Sequence, residues 1–207
     1  MAAISLNYDK IFGAEVGVPL YKSYEIRSDN QNLLYPLNAI SSVFYFLAGL
    51  GIFELYNFYN LIGSILLIEL SMASYWWWAL QKRSIQVVDN ILLNKTILLS
   101  GLKGMNNYYF YEYNTFIKIF FILEIMITIA SMKNKNMCLK ILKKTTLFYL
   151  AMDYYYLWNS ISFAPIYQIS TALIFRMLDT HFKFQYGTMM FHILTAIGTY
   201  NIFMELD

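Results

Sequence analysis

The sequence predicts an all-α, polytopic membrane protein, a bundle of seven transmembrane helices. Three observations carry this. Charged residues make up 14% of the 207, against about 25% in an average soluble domain, too few to cover the surface of a folded chain. Hydrophobic residues make up 58%, and they fall in repeated runs close to the ~20 residues an α-helix needs to cross hydrocarbon. Basic residues cluster in alternate connections between those runs, as they do in multi-span proteins.

Residues 1–36 mix polar and apolar types, and Gly13, Gly17 and Pro19 discourage a long helix. They read as an extramembrane arm ahead of a transmembrane domain over 37–207. Helices are expected over 38–56, 61–80, 85–102, 115–132, 144–161, 163–178 and 186–204. The first, second and fourth are strongly apolar. The third carries Asp89, Asn90, Asn94 and Lys95, so it belongs among neighbours rather than against lipid. The fifth and sixth form one run, divided near Asn159 and Pro165 because proline interrupts a helix; a mere kink there leaves six spans.

With an odd number of spans, Lys10, Lys22, Arg27, Lys82, Arg83, Lys133, Lys135, Lys140, Lys143, Lys144 and Lys183 share one side, and the other side offers little beyond Lys103. That asymmetry turns the N-terminus toward the cytoplasm or the mitochondrial matrix. The opening MAAISLNYDKIFGAEVG has neither the charged-then-apolar layout of a secretory signal nor the Arg-rich character of a transit peptide. One cysteine, Cys138, excludes an intramolecular disulfide. No phosphate loop, nucleotide fingerprint or heme-attachment CxxCH occurs, and no nucleic-acid partner is expected.

His192 lies inside the last apolar run, where an imidazole is costly without a partner or a task. Thr188 precedes it by four residues, a spacing that puts both on one helix face. Ser74 stands four residues before Trp78, and Asp89 eleven after it. Two histidines at the four-residue spacing, with a third from another helix, would make a three-ligand zinc site with a position for water.

The segment FHILTAIGTY, Phe191 to Tyr200, resembles the WHILTGLGSY block of the alkaline ceramidases, in the CREST superfamily of seven-helix membrane hydrolases. Asn38-Ala39-Ile40-Ser41-Ser42 is similar to the Asn-x-x-Ser start of that family's first helix. Gln86-Val87-Val88-Asp89 resembles its Gln-Leu-Leu-Asp, Ser74 falls at its serine, and Asp179 fits the aspartate ending its sixth helix. The resemblance runs from about Tyr24 to Tyr200 and implies the seven-helix fold. It also implies that Trp78 and Thr188 stand where two zinc histidines belong, leaving His192 alone of three. Of the family's calcium-binding arm only Glu25 and Asp29 have counterparts, and the family's N-terminus faces the lumen, opposite to the charge asymmetry here.

The resemblance therefore implies a pseudoenzyme with no catalytic residue, no metal and no cofactor, whose vestigial site is Ser74, Trp78, Asp89, Thr188 and His192. His192 is expected to bond Asp89 or Ser74, and Asp89 to partner Lys95 or His192. Trp76-Trp77-Trp78 and Tyr154-Tyr155-Tyr156 read as aromatic belts, with Trp78 filling the vacated metal pocket. His181 is expected in a solvated loop. Glu69, Lys95, Glu124 and Asp153 are expected to find partners in the bundle or on another subunit. Lys140, Lys143 and Lys144 are placed to meet anionic headgroups such as cardiolipin.

The leading functional expectation is an accessory subunit of a larger membrane complex, a respiratory-chain assembly of the inner mitochondrial membrane, with the endoplasmic reticulum or Golgi as the other location. A zinc-dependent lipid amidase, with Ser74 at the oxyanion and Asp89 carrying the proton, is the alternative. A third is a lipid-binding seven-helix protein that keeps an acyl chain in the old cavity.

Overall fold

The computed structural model describes residues 34–108, 114–132, 134–158 and 163–205, so the expected arm lies outside the described residues up to position 33. Eight helices make up almost all of it: α1 Pro36–Ser41, α2 Val43–Gly51, α3 Phe58–Leu80, α4 Arg83–Tyr108, α5 Asn114–Ser131, α6 Lys135–Trp158, α7 Ala164–Phe182 and α8 Gly187–Glu205. No strand occurs among the described residues.

α1 and α2 are one bent rod. Ser42 between them keeps helical angles, while the hydroxyls of Ser41 and Ser42 both donate to the Asn38 carbonyl at 2.9 and 3.1 Å. Such back-bonding competes with the backbone ladder and bends helices. α3 starts where Asn57 Oδ1 accepts from the backbone N–H groups of Tyr59 and Asn60, and ends where Gln81 turns left-handed at φ 52°. α7 begins with Pro165 in its first turn, so the expected division from α6 is present, and ends at Lys183, φ 59°.

Three boundaries differ from expectation, and burial outweighing local polarity is the reason for the second. α2 stops at Gly51, so 53–57 form a connection. α4 runs to Tyr108, so Lys103 lies within a helix and is buried rather than in a loop. α6 begins at Lys135, which puts Lys140, Lys143 and Lys144 on its first turns.

α4 is the axle of the assembly. α3 and α6 pack along it, α5 touches it more lightly, and α8 crosses it. α7 and α8 form an antiparallel pair, and α8 returns to α2 and closes the bundle. The shared core holds Tyr45, Leu67, Leu70, Leu98, Leu99, Leu102, Phe121, Tyr149 and Phe203. α3 approaches α8 closely because position 63 is glycine: a Cβ there would come within 2.6 Å of the Phe203 ring. Phe203 is fully buried and has no free space to retreat into.

Polar bonds stitch the rods together from inside. Lys95 Nζ meets Glu124 Oε2 at 2.8 Å, joining α4 to α5. Asn94 donates to Thr145 and Thr146 at 3.0 and 2.9 Å, and Ser100 bonds Asp153 at 2.9 Å, joining α4 to α6. Lys103 donates to Asn60 Oδ1 at 2.8 Å and to the Phe203 carbonyl, tying α4 to α3 and α8. Tyr154 bonds Ser170 at 2.8 Å across α6 and α7. Asn201 donates to Gln168 at 2.9 Å across α7 and α8.

By length and composition, α3 is the one helix among the described residues that is long and apolar enough to cross a membrane; the α1–α2 rod, Pro36–Gly51, is apolar but shorter.

Lys95→Met should cost the low end of about 3–5 kcal/mol, because it strands the Glu124 carboxylate, whose side chain is only 22% exposed. Lys95→Met with Glu124→Leu should recover most of that loss. Unfolding of the purified protein in mixed micelles reads both; equal loss in the single and double variants would contradict the pairing.

Candidate functional site

Five rods bring polar side chains to one end of the bundle, the end carrying the α3–α4 and α7–α8 connections. Asn38 and Ser41 come from α1, Ser74 and Trp78 from the last turns of α3, and Asp89 from the start of α4. Arg176 and Asp179 end α7, and Thr188 and His192 begin α8. The segment entering α1 is lashed to α3: Leu34 N–H donates to the Ala79 carbonyl at 2.9 Å, and Tyr35 N–H to that of Trp78 at 3.2 Å. The Tyr35 ring sets its edge against Trp78, centroids 5.9 Å apart.

His192 is buried, and both its ring nitrogens are engaged. The indole N–H of Trp78 donates to Nε2 at 3.2 Å. Nδ1 lies 2.9 Å from Ser41 Oγ and 3.2 Å from the Asn38 carbonyl. An indole N–H can only donate, so Nε2 is the acceptor and Nδ1 carries the hydrogen. Ser41 spends its own hydrogen on Asn38, which leaves its oxygen lone pairs facing Nδ1–H. Tyr45, Trp78 and Phe191 ring the imidazole with centroids at 5.7, 6.0 and 6.0 Å.

A second knot sits beside the first. Asp179 is fully buried and accepts from Arg176 at 3.2 Å and from the Thr188 hydroxyl, while Arg176 also donates to Thr188. The guanidinium carbon stands 5.8 Å from the Trp78 ring, a cation–π distance that couples the two knots. Position 187 must be glycine for this corner to close, because a Cβ there would lie 2.5 Å from the Phe175 carbonyl oxygen. Ser74 lies within hydrogen-bonding reach of Asp89.

Several expected contacts are corrected. His192 bonds Ser41, Asn38 and Trp78, not Asp89 or Ser74, because α1 rather than α4 faces its ring. Lys95 pairs with Glu124 and not Asp89. Of the three tryptophans only Trp76 is exposed; Trp77 and Trp78 turn inward, since successive helical positions point about 100° apart and cannot share one belt. Tyr155 is exposed, Tyr156 buried, and Tyr154 bonds Ser170. His181 is exposed but lies in the last turn of α7 instead of a loop. Lys140 and Lys144 are exposed on α6, and the Lys143 side chain lies outside the described part.

Arg176 is the functional-site residue the sequence reading passed over. Its signal was plain: a lone cation inside Leu173-Ile174-Phe175-Arg176-Met177-Leu178 needs an anion, and Asp179 follows one turn later.

The donor set does not fit zinc. Structural and catalytic zinc sites need three or four converging N, S or O donors. Here Trp78 offers no lone pair, Thr188 is committed to Asp179, the Nε2 lone pair of His192 is taken by the indole, and a guanidinium lies alongside. Among the described residues, no three of His, Cys, Asp and Glu converge to hold a metal ion. No protein-family model matches the chain, and no curated protein matches it.

Trp78→Phe keeps the packing but leaves Nε2 without its donor, and should cost about 1–3 kcal/mol in thermal unfolding. Trp78→His together with Thr188→His places three imidazoles in one pocket and should raise zinc retained through dialysis from a trace to about one per chain. Unchanged zinc content in that double variant, measured by elemental analysis, would refute the assignment of these positions to one pocket.

Proposed function

We propose that this chain is a seven-span, ceramidase-like membrane protein without hydrolase chemistry, acting as an accessory subunit of a larger membrane complex. One observation carries the membrane reading: polarity is turned inside out. Lys95, Lys103, Asp153 and Asp179 are buried, whereas Leu47, Met72, Ile122, Met126, Ile127, Leu147, Phe148, Ile174 and Met177 are exposed. Water-soluble proteins almost never bury Lys or Asp while exposing so many large apolar side chains; a lipid-facing bundle is the environment that favours both.

The outward faces of α6 and α7 are also banded. Lys140 and Lys183 stand toward one end, with Lys144 one turn further in, and Tyr155, Trp158, Phe163 and Tyr167 at the other, all exposed. From Lys140 to Trp158 the helix rises about 27 Å, close to the ~30 Å of bilayer hydrocarbon. Low hydropathy along α4 comes from groups that point into the bundle, so composition alone underrates it as a span. Lys140 is then set at the depth of anionic headgroups, cardiolipin among them, and Lys144 reaches toward them along its stem.

The non-catalytic part of the reading rests on the Trp78–His192 bond, which occupies the nitrogen a metal would need. The resemblance of Phe191–Tyr200 to the ceramidase block supports the ancestry. The basic side and the character of the first residues support the inner mitochondrial membrane and a respiratory-chain assembly. Native electrophoresis of detergent-solubilised mitochondrial membranes should place the chain in a high-mass complex, and purified protein should release no fatty acid from ceramide. Absence from every such complex, or stoichiometric zinc with amide cleavage, would reject the reading.

A further inference from the structure

Glu69 is the midpoint of α3, eleven residues from Phe58 and eleven from Leu80, so its α-carbon is about 16 Å from either end of the helix. Its side chain is exposed and makes no hydrogen bond or ion pair with any described residue. One turn away on the same face stand Ile65, Met72 and, a turn further, Trp76, each more than 40% exposed. Lys95, Asp153 and Lys103, also within helices, are turned inward and satisfied: Lys95 by Glu124, Asp153 by Ser100, Lys103 by Asn60 and the Phe203 carbonyl. The outward faces of α6 and α7 near the same depth hold Leu147, Phe148, Ala151, Thr171, Leu173, Ile174 and Met177, together with Lys144, whose long stem lets its ammonium reach toward the headgroups. Those faces suit lipid. The face of α3 does not, because a carboxylate at the bilayer centre is costly without a partner.

We propose that the outward face of α3, centred on Glu69, docks a transmembrane helix of a different protein, and that this helix presents a Lys, Arg or His to the carboxylate at mid-depth. Charge complementarity selects that occupant. The reading of the chain as a subunit of a larger complex favours a different protein over a second copy, whose exposed Lys144 in the third turn of α6 is the competing cation and whose self-adduct the test below distinguishes. This rests on the reading of the chain as a membrane-complex subunit and names the surface through which it joins.

The test uses the full chain in its native membranes, with a benzophenone amino acid at Met72 or, for comparison, at Leu147. The Met72 probe should form an adduct with one discrete protein whose membrane helix carries a basic residue at mid-depth, and the Leu147 probe should label lipid. Glu69→Leu should lower recovery of the assembly about tenfold, and Glu69→Lys should be rescued by replacing that basic residue with Glu. Lipid-only adducts at Met72, a self-adduct of this chain, or normal assembly of Glu69→Leu would overturn the docking. Alkaline carbonate extraction separates the two levels: a chain that stays in the membrane without docking loses only this inference, whereas a chain stripped from the membrane loses the membrane reading and the docking together.

Discussion

The structure depends on one constraint: the buried amide, ammonium and hydroxyl groups along the middle of α4 meet partners on neighbouring helices. A buried polar group without a partner is costly wherever water does not reach it. α4 carries Asn94, Lys95, Ser100 and Lys103 over little more than two turns: Asn94 and Ser100 reach α6, Lys95 reaches α5, and Lys103 reaches α3 and α8. That requirement places α4 at the centre and sets the helices around it, while large apolar side chains stay exposed on the outer faces.

The same economy shapes the polar end. A buried imidazole has two nitrogens to satisfy, and the bend at Ser42 brings the Asn38 carbonyl and Ser41 hydroxyl to one of them while Trp78 serves the other. A buried guanidinium needs an anion and finds Asp179, with Thr188 bridging them. These two closed networks share the Trp78 ring. Networks of this kind hold geometry well, and here they commit both imidazole nitrogens of His192 and the Thr188 hydroxyl.

Much of the fold was legible from local pattern. The apolar runs anticipated the helices among the described residues, and Pro165 marked the start of α7. Lys103 and the first turns of α6 were misplaced, because local polarity there looks like a loop and only the acceptors Asn60 and Phe203, distant in sequence, justify burying the lysine. In the site, Ser74, Trp78, Asp89, Thr188 and His192 were recognisable by spacing. The partner of His192 was not, since α1 and α8 are separated by almost the whole chain.

What the sequence determined by itself was the class: scarce charge and long apolar runs allow helices and disfavour a water-exposed surface. Which polar residue meets which, that Arg176 belongs to the site, and that the Glu69 carboxylate faces outward were decided by tertiary structure. The physical reason is rotation. Composition and periodicity give a helix its faces, but the angle at which each rod is turned is settled only when all the buried polar groups are satisfied together.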